Sequence, residues 1–272
     1  MASRHLVRDS QRVMKLHRIQ FPTTEAQALS QDEVSFTLQT EDGDEVIRFH
    51  DYDVIYGYPG LYEQLFYDRL KCQSPSKVAS ILRSAVEQAG EQPTTLRVLD
   101  LGAGNGIMGE ELRRLGVARV IGADIIAEAR DAYLRDRPGL YDDFLVCDFA
   151  DVDEDTHREL EAWSFDCLTT VAALGFGDIP PRAFVNAFNL VADGGWIAFN
   201  IRDTFLDHRE TTDFSRTVRE LVFTDYLEIH HLERYRHRLS IDGEPLFYYA
   251  IAGRKTAEVP ADMFDQGPAE EG

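Results

Sequence analysis

The chain has 272 residues, of which 44% are hydrophobic and 11% aromatic, so it has enough apolar material for one large or two small folded domains. Its 48 Asp and Glu outnumber its 28 Lys and Arg and give a formal net charge of −20. A surface of that charge repels phosphates, so the composition argues against nucleic acid or an anionic membrane as the partner.

The sequence shows no sign of export or of membrane insertion. It contains no apolar run of about eighteen residues, the length a membrane-spanning helix needs. Residues 1–20 interrupt every apolar stretch with a basic side chain, unlike a signal peptide. The three cysteines, Cys72, Cys147 and Cys167, form no CxxC pair, so neither a disulfide framework nor a metal site is expected, and Cys147 and Cys167 are predicted to be core thiols. We therefore predict a cytoplasmic protein.

Composition divides the chain into four parts. We predict an N-terminal arm over 1–33, a hairpin and aromatic cap over 34–73, a main domain over 74–256 and a disordered acidic tail over 257–272. Within the cap, a turn at Asp42-Gly43 would pair Leu38 with Ile47 and Phe36 with Phe49, with all four side chains on one face. Tyrosines and phenylalanines crowd residues 50–67, where they suit a core or the wall of a pocket.

Short apolar runs alternate with helical segments after residue 74. Ser74-Pro75 predicts an N-cap and a first-turn proline for the first helix. Strands are then expected at 97–101, 119–123, 144–147, 165–171 and 196–201, separated by helices near 107–115, 126–135, 156–163 and 181–191. After a helix near 211–222, residues 226–239 and 246–252 form a final hairpin through Asp242-Gly243. This order predicts an α/β fold with a doubly wound, mostly parallel sheet.

The strongest chemical signal is a glycine-rich turn at the end of the first strand of this sheet. It comprises Asp100, Leu101, Gly102, Ala103, Gly104, Asn105 and Gly106, and a helix follows it. The glycines allow the backbone to turn sharply and to approach a ligand. A carboxylate two positions before the first glycine disfavours a pyrophosphate and favours an ammonium group, which indicates a nucleoside that bears an amine.

Two further carboxylates end the next two strands. Asp124, with Ile125 after it, follows the second strand, where an acid can accept both ribose hydroxyls. Asp148 follows the third strand, where it can accept from an exocyclic adenine amine while Phe149 covers the ring. Carboxyl ends of parallel strands meet at one edge of the sheet, which is where open α/β sheets bind ligands.

With these motifs in order, residues 74–255 resemble the class I S-adenosylmethionine-dependent methyltransferase family. The resemblance implies a Rossmann-like seven-stranded sheet with a C-terminal antiparallel hairpin, and S-adenosylmethionine as the cofactor. It places the glycine turn, Asp124, Ile125, Asp148, Phe149 and Val171 at the cofactor. The Asn/Asp-Pro-Pro-Tyr motif for amine substrates in nucleic acid and protein is absent, and Thr169, Thr170, Val171 and Ala172 stand in its place.

The sequence therefore predicts methyl transfer to a small molecule. No catalytic base is identified, although Tyr56, His50, Arg202 and His231 are candidates because they fall in the cap or after strand ends. An RNA or protein methyltransferase, a non-catalytic S-adenosylmethionine-binding regulator and a nicotinamide oxidoreductase stay open as alternatives. The acceptor, the methylated atom and the oligomeric state are not indicated.

Overall fold

The computed structural model describes residues 16–22, 34–174, 178–207, 212–224 and 226–260. Its strands are β1 Arg18–Gln20, β2 Ser35–Thr40, β3 Gly43–Arg48, β4 Arg97–Leu101, β5 Arg119–Asp124, β6 Asp143–Val146, β7 Cys167–Thr170, β8 Trp196–Arg202, β9 Leu227–Leu239 and β10 Pro245–Lys255. Its α-helices are α1 Tyr52–Gly57, α2 Ser74–Gln88, α3 Ile107–Leu115, α4 Ala127–Asp136, α5 Glu154–Ala162, α6 Pro181–Asn189 and α7 Asp213–Phe223. A π-helical turn covers Glu63–Arg69, and short 3-10 turns cover Pro93–Thr95 and Asp203–Leu206.

The large sheet has seven strands in the order β6-β5-β4-β7-β8-β10-β9. Strands β4 to β8 run parallel, and β10 runs antiparallel to both β8 and β9. The predicted α/β fold with a mostly parallel seven-stranded sheet and a C-terminal hairpin is confirmed. Chain order reverses between β4 and β7, and such a switch point opens a crevice at the carboxyl ends of the strands. Among the described residues, no helix combines the length and apolar character that crossing a membrane would require.

Apolar layers cover both faces of this sheet, because its inner strands are buried on both sides. One layer contains Phe165, Phe184 and Phe199, and the other contains Val78, Leu82 and Trp196. Helix α2 begins one residue earlier than expected, with Gln73 as its N-cap and Pro75 in its first turn. The prediction that Ser74 caps this helix is wrong, since its hydroxyl hydrogen-bonds Tyr235 and His237 on β9 instead.

The cap contains its own three-stranded antiparallel sheet of β1, β2 and β3. The expected hairpin register is wrong by two residues: Phe36 pairs with Ile47 and Leu38 with Glu45, so the chain turns at Glu41-Asp42. A shift of two keeps the same side chains on the buried face, and Phe36, Leu38, Ile47 and Phe49 are all buried.

Part of the predicted N-terminal arm belongs to the cap. Residues 18–20 form the edge strand β1, whose Ile19 is buried in the cap core. His17 also exchanges two backbone hydrogen bonds of 2.7 Å with the side chain of Gln64. The cap is joined to the large sheet where the Leu239 amide donates to Leu70 and the Gln73 amide donates to His237.

The C-terminal segment packs on the body further than expected. Val259 is 2% exposed, and its backbone exchanges two hydrogen bonds with the side chain of Asn189 at the end of α6. Lys255, also buried, donates to the carbonyls of Asn189 and Val191. The predicted tail boundary at residue 257 is therefore wrong, and the predicted disorder of 261–272 lies outside the described residues.

This packing gives a stability prediction. Val259→Ala removes two buried carbon atoms, so we expect it to lower the free energy of unfolding by about 1.5 kcal/mol. Urea unfolding followed by circular dichroism measures the change. Glu258→Ala, at an exposed neighbour, is the control and should change stability by less than about 0.5 kcal/mol. Equal stability of the Val259 variant and the wild type would show that this segment contributes nothing to the fold.

Candidate functional site

A crevice with a cavity volume of about 200 Å³, partly open to solvent, lies at the carboxyl ends of the central strands; we call it the main crevice. It is lined by residues that directly follow or end four parallel strands, together with residues of the cap and of the segment before α6. These are His50, Tyr52, Tyr56, Tyr62, Leu101, Gly102, Asp124, Ile125, Ile126, Cys147, Asp148, Phe149, Val171, Ala172, Ala173, Asp178, Ile179, Pro180 and Ala183. Six of the predicted site residues are among them: Gly102, Asp124, Ile125, Asp148, Phe149 and Val171.

The glycine turn has the backbone that the sequence predicted. Gly102 and Gly104 have φ values of +71° and +53°, in the left-handed region that favours glycine. A side chain at Gly102 would place its Cβ 2.8 Å from the Cβ of Ala173, and one at Gly104 would collide with the Tyr56 hydroxyl. The turn therefore needs glycine both for its conformation and for the close approach of the cap.

Asp124 holds this turn in place from the next strand. Its Oδ2 accepts from the Gly104 amide at 2.9 Å, and its Oδ1 accepts from the Ile126 amide at 3.0 Å. The residue is 9% exposed, and burial raises the pKa of its carboxyl. An ionised carboxylate has about four acceptor sites, so lone pairs stay available to a ligand in the crevice.

Asp148 lies on the exposed rim, where its Oδ1 accepts from the Ala150 amide at 2.8 Å. The neighbouring Phe149 is buried and Ile125 is 60% exposed, so the crevice offers an apolar surface beside two carboxylates. Cys147 is not the inert core thiol expected from sequence, since it is half-buried after β6 and lines the crevice. Burial raises the pKa of its thiol to about 11, so it is protonated at neutral pH.

Asp100 does not reach the crevice, which contradicts its expected role as the partner of a ligand ammonium. Its side chain is 1% exposed, and its two oxygens accept from the hydroxyls of Tyr141 at 2.7 Å and Thr169 at 2.8 Å. Asp100 thus ties β4 to the flanking strand β7 and to the chain before β6. Burial, aided by repulsion from Asp124, raises the pKa of this carboxyl to about 6.

The raised pKa predicts how Asp100 affects folding. The pKa rises from its ordinary value of 3.8 to about 6 in the folded protein. The contribution of Asp100 to the free energy of unfolding is therefore fully present below pH 4 and is lost as the pH rises through 6. A shift of about two units corresponds to on the order of 3 kcal/mol. The unfolding free energy of Asp100→Asn, relative to wild type, should therefore rise by about this amount between pH 4 and pH 7, as urea unfolding measures. Asp151→Asn, at an exposed position, is the control; parallel pH dependences for Asp100→Asn and wild type would contradict the shift.

Asn105 also serves the structure rather than the crevice. Its amide donates to Glu63 Oε1 at 2.7 Å, and Arg137 donates to the same oxygen and to the Asn105 carbonyl. This arrangement clamps the glycine turn to the cap. The remaining predicted residues of the turn, Ala103, Gly104 and Gly106, likewise do not line the crevice.

The cap supplies three tyrosines that close the crevice. Tyr52, Tyr56 and Tyr62 form a continuous group with ring centroids 5.1 to 6.5 Å apart. The Tyr56 hydroxyl lies against Gly104. Burial is the main cause that raises the pKa of all three phenols, so they remain neutral and able to donate.

A pair of polar side chains that the sequence did not predict lies between the cap and the sheet. Nδ1 of His50 is 2.8 Å from Oδ1 of Asp178, and both residues line the main crevice. Among the four candidate bases, His50 and Tyr56 line the crevice, whereas Arg202 at the end of β8 and His231 on β9 do not. Asp178 carries no local sequence signal, because its partner is 128 residues away.

A buried polar network supports the crevice wall at Ala172. This residue has φ +58°, a strained conformation for alanine, and its amide donates to Asn200 Oδ1 at 2.7 Å. The Asn200 amide donates in turn to the hydroxyls of Tyr235 and Ser74. The network therefore fixes the loop after β7, where Ala173 lies against Gly102 of the glycine turn.

Comparisons with known proteins agree with this geometry. The methyltransferase-domain family matches residues 75–238, well over half of the chain, including the glycine turn, Asp124 and Asp148. No curated protein sequence matches the chain.

Three solved structures are similar to about two thirds of this chain. A proposed RNA methyltransferase from Pyrococcus horikoshii is 17% identical, with 68% of this chain and 87% of that one covered at a TM-score of 0.49. Magnesium protoporphyrin IX methyltransferase from Synechocystis, with bound S-adenosylmethionine, is 14% identical over 67% of this chain and 79% of that one, at a TM-score of 0.46. The N-methyltransferase NodS from Bradyrhizobium japonicum, in complex with S-adenosylhomocysteine, is 15% identical, with 67% of this chain and 87% of that one covered at a TM-score of 0.47. None of the three indicates which acceptor this chain binds.

Proposed function

The chain belongs to the class I S-adenosylmethionine-dependent methyltransferases, and from that premise we propose that its methyl acceptor is a small molecule enclosed between the cap and the large sheet. The observation that carries the proposal is that Tyr52, Tyr56 and Tyr62 of the cap form a wall of the main crevice, with the Tyr56 hydroxyl against Gly104 of the glycine turn. A wall of this kind encloses a small ligand and leaves little access for a macromolecule.

The residues of the main crevice fit the cofactor. Asp124 keeps free lone pairs beside the glycine turn, and Asp148 and Ile125 offer a carboxylate and an apolar surface on the rim. We assign Asp124 to the ribose hydroxyls and Asp148 with Ile125 and Phe149 to the adenine. S-adenosylmethionine supplies a methyl group that its positively charged sulfur has already activated.

The protein then has to align the acceptor and exclude water. The neutral, buried tyrosines of the cap suit both tasks, since they offer broad apolar surfaces with a donating hydroxyl at the tip. The clamp of Asn105, Glu63 and Arg137 holds the cap against the glycine turn. The cap and the cofactor site therefore act as one unit.

His50 is the group placed to take a proton from the acceptor. The Asp178 carboxylate can only accept from Nδ1–H, so the basic nitrogen of a His50 ring bound in this way is Nε2. An acceptor oxygen or nitrogen that receives the methyl group would lose a proton. Nε2 of His50 would take that proton, and Asp178 would stabilise the resulting imidazolium.

Nucleic acid is a poor acceptor by this reasoning. The net charge is −20, and the main crevice contains Asp124, Asp148 and Asp178 but no lysine or arginine among its described lining residues. A cytoplasmic location stays a prediction from sequence.

One experiment tests the acceptor class. The protein is incubated with S-adenosylmethionine that carries a labelled methyl group and with three fractions of a cell extract: small molecules, RNA and protein. We expect label in the small-molecule fraction and its loss in Asp124→Ala. Asp131→Ala, at an exposed position on α4, is the control and should retain transfer.

Each other result has its own meaning. Label in RNA or protein would overturn the small-molecule assignment. No label in any fraction, with S-adenosylhomocysteine binding intact by calorimetry, would favour a non-catalytic regulator. Tighter binding of NADH than of S-adenosylhomocysteine would favour an oxidoreductase.

A further inference from the structure

A second crevice, with a cavity volume of about 50 Å³, adjoins the main one and shares His50, Tyr52, Tyr62, Ala172 and Asp178 with it. We call it the side crevice. Its other lining residues come from the cap, from the loop after β7 and from the ends of β9 and β10: Phe49, Phe66, Cys72, Leu174, His237, Arg238 and Tyr248. It thus extends from the His50–Asp178 pair away from the residues assigned to the cofactor.

The side crevice contains a buried guanidinium without a counter-ion. Arg238 is 8% exposed, and within the described parts of the chain no carboxylate oxygen lies within 4 Å of its nitrogens. The described residues provide one acceptor, the Leu239 carbonyl at 2.9 Å, for its five N–H groups. Among the described residues that line this crevice, Arg238 is the only lysine or arginine.

Burial of an unpaired charge is costly, and the Leu239 carbonyl and the Phe49 ring, whose centroid is 5.5 Å from the guanidinium carbon, offset only part of that cost. The carboxylate that shares the crevice, Asp178, is engaged by His50. His237 adds no competing cation, because burial, with Arg238 nearby, holds its pKa well below its usual range. The other described walls are uncharged, and most of them are aromatic: Phe49, Tyr52, Tyr62, Phe66 and Tyr248, beside Cys72, Ala172 and Leu174. A ligand with an anionic end and an apolar body suits such a chamber.

We propose that the methyl acceptor is a small organic anion whose carboxylate pairs with Arg238, while its aromatic or apolar body lies between the cap and Tyr248. This inference rests on the proposed function, and it specifies the substrate class for the same site. Arg238 would fix the end of the acceptor remote from the reaction, with the nucleophilic atom toward His50. The pairing would also explain why a buried arginine is retained in a chain of charge −20.

The test uses benzoate as the probe and benzamide as its neutral counterpart, with calorimetry on wild type, Arg238→Met and Arg238→Lys. We expect benzoate to bind wild type more tightly than benzamide, and Arg238→Met to weaken benzoate at least about tenfold. The benzoate affinity of Arg238→Lys should lie between those of wild type and Arg238→Met, since lysine keeps a positive charge but lacks the bidentate guanidinium. Benzamide affinity should be unchanged in all three proteins.

Three measurements separate a binding role of Arg238 from a structural one. Arg234→Met removes an exposed arginine of the same strand, which pairs with Asp203, and should leave benzoate affinity unchanged. Without benzoate, Arg238→Met should melt at or above the wild-type temperature, because it removes an unpaired buried charge. Its S-adenosylhomocysteine affinity should stay within about twofold of wild type, since Arg238 does not line the main crevice.

The inference is overturned if benzoate does not bind wild type at millimolar concentration, or binds no better than benzamide. It is also overturned if Arg238→Met keeps wild-type benzoate affinity, or if Arg238→Met alone melts far below wild type while Arg238→Lys keeps full affinity. The proposed function fails by a different measurement, the absence of labelled methyl in every extract fraction. Failure of one can therefore be told apart from failure of the other.

Discussion

We expect His50→Asn to lower the rate constant for methyl transfer by about 10²- to 10⁴-fold, the range for loss of a positioned general base. Asparagine retains a donor toward Asp178 but has no basic nitrogen in place of Nε2, so the pocket stays intact while proton removal is lost. Single-turnover kinetics with labelled S-adenosylmethionine and the accepting small-molecule fraction measure the step. Added imidazole should restore part of the rate, because it can enter the space that the ring leaves.

Two comparisons make this result specific to His50. His231→Asn alters a histidine on β9 outside both crevices and should leave the rate unchanged. Asp178→Asn keeps the imidazole but removes its carboxylate partner, so we expect a smaller loss than in His50→Asn. S-adenosylhomocysteine affinity should stay within about twofold of wild type in all three variants. Full activity in His50→Asn would mean that the acceptor loses its proton without this base.

The sheet and the glycine turn were predictable because their signals are local. Strand β4 and helix α3 have the predicted bounds, since a short apolar run, three glycines and a periodic helix follow one another without interruption. The hairpin of the cap shows where local chemistry misleads. Asp42-Gly43 is a favoured turn pair, yet the chain turns one residue earlier, where the Thr40 hydroxyl accepts from the Asp42 amide. The core is unaffected, because a register shift of two residues leaves the same side chains on the buried face of the hairpin.

The acceptor side of the site was not predictable for a different reason. His50 and Asp178 are 128 residues apart, and Arg238 comes from the far edge of the sheet, so no spacing in the sequence joins them. Asp100 shows the converse case. Its position in the motif suggested a ligand contact. Packing between the strands instead buries its carboxylate and pairs it with the hydroxyls of Tyr141 and Thr169. Sequence thus identifies the residues of a cofactor loop more readily than the direction in which each side chain points.

Asp124→Ala should have the largest effect on the cofactor, because one carboxylate performs two tasks. We expect S-adenosylhomocysteine to bind about 1.5–3 kcal/mol more weakly, the cost of losing charge-assisted hydrogen bonds to the ribose. The loss of binding free energy should lie toward the upper end of this range. The Gly104 amide, at 2.9 Å, and the Ile126 amide also lose their acceptor, so the glycine turn loosens. Calorimetry gives the affinity, and urea unfolding gives the accompanying loss of stability, about 1–3 kcal/mol for stranded buried donors.

Asp124→Asn separates the two tasks. Its amide oxygen can still accept from Gly104, so the fold should recover most of its stability, whereas the missing charge should leave cofactor binding impaired. The exposed variant Asp131→Ala on the following helix controls for a general loss of negative charge and should bind like wild type. If Asp124→Asn bound S-adenosylhomocysteine as tightly as wild type, Asp124 would act only as the anchor of the glycine turn. The ribose would then have to be held by another group on the rim, and Asp148, the remaining exposed carboxylate of the main crevice, would be the first residue to change.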